Sequence, residues 1–290
     1  FALNDDLSLK DKHSDAYALA FILLSFSHYY EASQDPRALE FVEHTHLFLH
    51  GKMACEHGGF LETFPSSDHS VRRQNPHMHL LEGYLAAYKI TQKSAYKEEI
   101  KKLLNLLTDY FFDATSNGLI EYFHHDWSMH ETLGVSIEPG HHFEWIWLLH
   151  QANAIIPNKR YLEIADLLWQ KADDCGFDLK GGIYNQVHAI TGEVLDAEKR
   201  IWPITEYLKA LCSQQANCPD IQVKINDALQ FLFTHYLQQD GSWNEYLDAE
   251  NKPKSHPLPG TTSYHLFLGL IEVIKWSKKH NHAEDLMKSR

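Results

Sequence analysis

The chain repeats a layout more than it repeats a motif, and that layout restricts its fold most. Four segments, "GGFLETF" (58–64), "NGLIEYF" (117–123), "KGGIYNQV" (180–187) and "DGSWNEYL" (240–247), each open at a glycine. Each then alternates large apolar and polar residues, the period of a strand. Aligned on Gly59, Gly118, Gly182 and Gly241, they recur about every 60 residues. The intervening sequence has helical period, with apolar residues at i, i+3, i+4 and i+7. "DAYALAFILLSFSHYYEAS" (15–33) is the first such stretch. The second, over 36–53, is introduced by Asp35-Pro36, a cap residue followed by proline at the first helical position. Similar patterns cover 76–91, 94–113, 141–154, 158–175, 203–216, 220–238 and 261–279, which predicts about nine helices.

The repeating unit is therefore helix, helix, short extended loop. Such a hairpin cannot bury its apolar face alone, so neighbouring hairpins must cover it. An open solenoid and a ring are the two ways to do so. Common helical solenoid repeats are shorter, roughly 33–47 residues, and the wide aromatic-rich faces and long irregular loops favour the ring. The expected fold is all-α, an (α/α)6 barrel formed by a single domain over 1–290. Six hairpins need about twelve helices, so some three helices are expected before Phe1. No linker or low-complexity tract interrupts the pattern. "NKPKSHPLPG" (251–260) reads as a long loop before the last helix.

Composition narrows the function. The 290 residues are 44% apolar, as in a globular protein, and the formal net charge is -13. With no basic patch, nucleic acid and anionic membranes are disfavoured as partners. No apolar run approaches the roughly 20 residues that span a bilayer. No signal peptide is read at the start, although Phe1 is not an initiator methionine. Cys55, Cys175, Cys212 and Cys218 form no C-x-x-C pair and read as reduced, buried or half-buried thiols in a cytoplasmic protein. The 21 histidines devalue any single histidine as a sign of function.

Four helices nevertheless open on polar, aromatic-flanked first turns. "RRQNPHMHLLEG" (72–83) carries His79 and Glu82 at i, i+3, with Asn75 expected as N-cap ahead of Pro76. "EPGHHFEW" (138–145) carries His141 and Glu144 at the same spacing. "KRIWPITEYLKA" (199–210) supplies Arg200, Trp202 and Glu206, and "TTSYHLFLGL" (261–270) supplies His265. Each alone has an ordinary explanation. Asn-Pro and Trp-Pro start helices, Glu82 complements a helix dipole, His265 fits a satisfied core histidine, and His77, His142 and His150 read as surface or packing residues. Recurrence on alternate helices is harder to explain that way. In a ring the inner helices would gather these N-termini at one mouth. Free N–H groups, carboxylates and aromatics there suit the hydroxyls and C–H faces of a sugar.

Other chemistries are poorly served. His77 and His79, at i, i+2, do not face one way on a helix, and H-E-x-x-H and clustered cysteine pairs are missing, so no metal is expected. There is no G-x-S-x-G and no phosphate-cradling loop ending in G-K-[ST], and no cofactor is expected.

"QNPHMHLLEG", "EPGHHFEWIWLL", "KRIWPITEYLKA" and "SYHLFLGL" resemble, in that order, four motifs of the N-acylglucosamine 2-epimerase superfamily, nearest its mannose isomerase and mannose-6-phosphate-isomerase-like branch. "DAYALAF" (15–21) resembles the family's aspartate-tyrosine helix. The resemblance runs from about residue 72 to 270. It implies an (α/α)6 barrel that interconverts sugars at C1 and C2 without metal or nucleotide. It also implies His141 and His265 as the catalytic pair, with His79, Glu144 and Glu206 contacting or orienting the sugar and Trp202 and Arg200 beside them. Asn75 joins the substrate-binding candidates. Family members carry further chain before the point where this one begins, including the first helices and a sugar-contacting arginine, in keeping with the helix count. Gly83 stands where many relatives carry alanine, a change not expected to touch the chemistry.

Histidine titrates near neutral pH, which suits removal of a weakly acidic C–H proton. His265 is expected to exchange the C2 proton. His141 is expected to assist ring opening and the second transfer, with Glu144 fixing its tautomer and Glu206 holding hydroxyls. An aldose–ketose isomerase of the mannose/fructose type is the favoured reading. The alternatives are a 2-epimerase on the same scaffold, an inverting glycoside hydrolase using Glu144, Glu206 or Asp126, and a non-catalytic sugar- or protein-binding module. A small monosaccharide is the expected partner. Whether two copies assemble as a homodimer is open on sequence grounds.

Overall fold

The computed structural model describes residues 2–65, 71–214 and 220–288. Cys218 lies outside these, while Cys55, Cys175 and Cys212 are half-buried thiols outside any disulfide among the described residues. Nine α-helices occur among the described residues: α1 (Ala16–Ser33), α2 (Arg37–Phe48), α3 (Gln74–Thr91), α4 (Ser94–Leu106), α5 (Pro139–Ile155), α6 (Lys159–Cys175), α7 (Ile201–Ser213), α8 (Ile221–Phe231) and α9 (Thr262–Lys288). Strands are two or three residues long and confined to the loops. No helix is long and apolar enough to cross a membrane among the described residues.

Two compact units are present, Phe1–Ala114 with Ile120–Val135, and Thr115–Leu119 with Ser136–Arg290. In the first, α1 packs on α3 and each carries its partner of the hairpin, α2 and α4. Asp15 caps α1, its carboxylate accepting the Ala18 N–H at 3.1 Å. The Asp35 carboxylate takes the Arg37 N–H at the head of α2. Helices α1 and α3 end alike, at Gln34 and Gln92 with positive φ, and each glutamine amide donates to the carbonyl four residues back, Tyr30 and Tyr88. Gly83 lets α3 approach α1 closely. A Cβ there would lie 2.8 Å from the Ala20 carbonyl oxygen, so alanine at this position has a packing consequence apart from the chemistry.

In the second unit α7 packs between α5 and α9, with α6 on α5 and α8 on α7. The core is aromatic and aliphatic, with Phe143, Trp145, Leu149, Leu168, Leu208 and Leu232 buried. Gly269 brings α9 against α7, since a Cβ there would meet the Thr205 carbonyl at 2.9 Å.

The glycine loops form one device used repeatedly. Single antiparallel bridges join Ala54 to Phe60, Phe177 to Ile183 and Leu237 to Trp243 across each turn. The turns need a left-handed residue, supplied by Gly241 (φ 86) in one and by Asn117 (φ 53) in another. Two residues beyond the bridge, a backbone carbonyl takes an N–H at the start of an inner helix. Glu62 accepts from Ala16, Glu121 from Gln74 and Glu245 from Ile201. Helix α5 opens with Pro139, which has no N–H to satisfy. The outer helices α2, α4 and α8 each finish in a π-helical turn, at Leu49–Met53, Leu107–Phe111 and Leu232–Tyr236. The loops thus fix where the inner helices begin, which is where the polar residues sit.

Candidate active site

Asn75 is not the N-cap. Helix α3 begins one residue earlier, at Gln74, with Arg73 in the cap position and no side-chain cap bond. The extended pair Arg72–Arg73 is held to Tyr122–Phe123 of the next loop, which brings the Glu121 carbonyl onto the Gln74 N–H and moves the helix start upstream of the Asn-Pro signal. Asn75 is therefore a half-buried residue of the first helical turn.

His77 and His142 carry structure, as the packing reading holds. His77 is fully buried; its Nε2 accepts the Phe60 N–H and its Nδ1 donates to the Arg73 carbonyl, both at 3.0 Å. His142 does the same one repeat later, accepting from Leu119 at 3.2 Å and donating to Glu138 at 3.1 Å. Each neutral imidazole ties a glycine loop to the first turn of an inner helix. Burial, reinforced by the Arg72 guanidinium, pushes the His77 pKa down to about 3.

Buried cations back this device in both units. Arg72 donates to the Gly58, Phe60 and His125 carbonyls and lies 3.5 Å over the Trp127 ring. Lys199, at the corresponding place before α7, donates to the Ala197, Asp248 and Ala249 carbonyls and pairs with Asp178 at 3.2 Å.

Within the second unit the first turns of α5, α7 and α9 converge. The Trp202 ring neighbours two imidazoles, its centroid 5.0 Å from that of His141 and 5.4 Å from that of His265. Gly140 makes room for it, since a Cβ there would come within 2.5 Å of the indole. His141 Nδ1 lies 3.8 Å from a Glu138 oxygen. Glu144, three residues on, accepts the Tyr264 hydroxyl at its Oε1 at 2.9 Å. Glu206 joins His265, Oε1 to Nδ1, at 2.7 Å. A carboxylate on Nδ1 fixes the proton there and leaves the lone pair on Nε2. The other Glu206 oxygen lies 2.8 Å from the Lys209 ammonium, and neither side chain is exposed. Lys209 in turn sits 4.1 Å from the Trp147 ring. Arg200 precedes α7, its guanidinium carbon 5.6 Å from the Trp202 ring and 5.7 Å from that of Tyr246.

Six of the expected residues, His141, Glu144, Arg200, Trp202, Glu206 and His265, thus share one neighbourhood. His79 belongs to the first unit, where Tyr17 and Phe21 of α1 ring it at 4.7 and 5.1 Å and Glu82 lies 3.6 Å from its Nδ1. Sequence reasoning passed over Lys209, Trp147 and Tyr264. Their signals were spacing: Lys209 follows Glu206 by three residues, Trp147 follows Glu144 by three, and Tyr264 adjoins His265.

Glu144, Glu206 and His265 each bring one donor atom within 4.8 Å of the others. The grouping would suit a cation, but the Lys209 ammonium already supplies positive charge to Glu206. Glu144 and Glu206 are also two of the three carboxylate candidates for an inverting hydrolase. Asp126, the third carboxylate considered, lies in the first unit in a turn with Ser128.

Residues 1–269 match the N-acylglucosamine 2-epimerase (GlcNAc 2-epimerase) family. A mannose-6-phosphate isomerase of Rhizobium meliloti (strain 1021) is 30% identical, the match covering 93% of this chain and 72% of that protein. A D-mannose isomerase of Marinomonas mediterranea is 27% identical over 91% of this chain and 72% of its own length. A crystal structure of D-mannose isomerase superposes with a TM-score of 0.84 at 25% identity, covering 94% of this chain and 74% of that one. The fold class expected from the repeats, the helical hairpins of an (α/α)6 barrel, is the fold class of these structural neighbours.

Proposed function

The chain belongs to the N-acylglucosamine 2-epimerase family, and on that premise we propose that it is an aldose–ketose isomerase acting on a monosaccharide of the mannose/fructose type. The family and the relatives are isomerases and epimerases, so the chain is an enzyme of that class and not a non-catalytic module. The observation that carries the finer reading is the pair of imidazoles beside Trp202, one of them seated on a buried carboxylate.

His265, holding its proton at Nδ1 against Glu206, takes the C2 proton of the open-chain aldose at Nε2. The C2–H electrons form the C1–C2 double bond of an enediol, and the aldehyde oxygen O1 gains a proton. Return of a proton to C1 and loss of the O2 proton complete the ketose, with no net gain or loss of atoms or electrons. His141, also beside Trp202, opens the sugar ring and assists the second transfer. The indole face covers C–H groups of the sugar, and Glu144, Arg200, His79 and Asn75 serve its hydroxyls. Each well-placed acid–base group contributes about 10²–10⁴-fold. In this reading residues 1–290 work as one domain.

A 2-epimerase shares the first step and returns the proton to the opposite face of C2. NMR of mannose, fructose, glucose and N-acetylmannosamine, and of the 6-phosphates, with enzyme in D₂O separates these. Ketose carrying deuterium at C1 is the expected result. Deuterium at C2 of the epimer with no ketose assigns the epimerase, and no exchange into any sugar overturns both.

A further inference from the structure

We propose that Lys209 is a positioning residue for the acid–base pair, its buried ammonium holding Glu206 in place and in charge behind His265. The proposal rests on the reading of His265 as the base. Its geometry is a continuous line of contacts across three helices. Trp147 of α5 lies under the Lys209 ammonium at 4.1 Å, Lys209 meets one oxygen of Glu206 at 2.8 Å, and the other oxygen meets His265 Nδ1 of α9 at 2.7 Å. Lys209 and Glu206 are both wholly buried.

Stability alone does not account for such a pair. Desolvating an ammonium and a carboxylate costs about as much as their attraction returns, and apolar residues of similar volume often do as well or better. What the cation adds is control over a proton. Without it, the buried Glu206–His265 pair would retain a proton to higher pH, whichever partner carries it, because a neighbouring positive charge always opposes protonation of the pair. A pair that keeps this proton has no lone pair for the sugar. Also near His265 in this unit are Glu144, the Tyr264 hydroxyl bonded to it, and, beside the Trp202 ring, His141 and Arg200. Glu144 opposes the effect of Lys209, which makes a fixed cation beside Glu206 the more consequential.

The test compares the full chain with Lys209→Met, Lys209→Gln and Lys209→Arg. Glutamine keeps an N–H donor for Glu206 without the charge and remains informative where methionine does not fold. Two readouts apply: the acidic limb of the kcat/KM pH profile, and the titration of the His265 imidazole by NMR, which needs no substrate. The expected result for both neutral variants is a move to higher pH by about one unit, with kcat/KM below the limb falling about tenfold and KM little changed. Arginine should restore the wild-type position in large part. Wild-type limb and imidazole titration in a folded neutral variant would overturn the proposal. Absence of sugar conversion by the wild type would instead overturn the isomerase reading, and the imidazole titration would still decide the role of Lys209.

Discussion

Glu206 and His265 meet through Oε1 and Nδ1 at 2.7 Å, from neighbouring helices that the Gly269–Thr205 approach holds close together. This one contact sets the tautomer of the proposed base, and it couples catalysis to stability because Glu206 also answers the buried Lys209.

Glu206→Gln therefore changes both at once. The amide keeps the shape but not the charge, so kcat/KM should fall by about 10²-fold or more. Lys209 is left buried without its counter-charge, which costs about 3 kcal/mol. Steady-state kinetics and urea unfolding on the same protein check both; loss of activity with wild-type stability would contradict the role given to Lys209.

Gly140→Ala tests the seat of Trp202. A methyl 2.5 Å from the indole displaces it, and a misplacement of about 1 Å in such a site can cost about 10²-fold in rate. The expected outcome is a large fall in kcat/KM with altered tryptophan fluorescence. Gly51→Ala, with nothing near its added carbon, should show neither change.

His77 makes a prediction about acid. Its folded-state pKa is about 3, against about 6.5 for a free imidazole. Between those values the unfolded chain binds the extra proton, so His77 lowers stability progressively as pH falls below about 6.5, by up to about 1.4 kcal/mol per pH unit. Urea unfolding at pH 7 and pH 5 should show a smaller acid loss in His77→Gln than in the wild type. An equal loss would show that His77 is not held neutral.

Gly83→Ala tests the approach of α1 and α3. A Cβ 2.8 Å from the Ala20 oxygen forces a shift, and overpacking of this kind costs about 1–3 kcal/mol. Thermal unfolding should drop accordingly, while His265 and its partners, which lie in the other unit, keep their arrangement.

The sequence discloses the fold through its repeats because hairpin and loop periods differ, 3.6 against 2, and both survive loss of identity between repeats. The nine predicted helices appear with ends displaced by a few residues, save α9, which runs on to Lys288. Helix α3 starts at Gln74 and not after Asn75 because a partner from another loop, the Glu121 carbonyl, outweighs the local capping signal. The polar first turns identified His141, Glu144, Arg200, Trp202, Glu206 and His265 as neighbours. Lys209 escaped notice because a lysine in a helix reads as surface, and only packing against Trp147 and Glu206 shows it to be buried. Long-range partners escaped too: no local spacing points Glu144 at Tyr264, 120 residues away, whose hydroxyl it accepts.

The central claim is that His265 moves the substrate proton. The most direct measurement is deuterium incorporation from D₂O into mannose and fructose by His265→Ala, alongside the wild type and with the fold of the variant checked by circular dichroism. Deuterated ketose is expected from the wild type, and no detectable exchange from a folded His265→Ala. Exchange by that variant at a rate near wild type would contradict it.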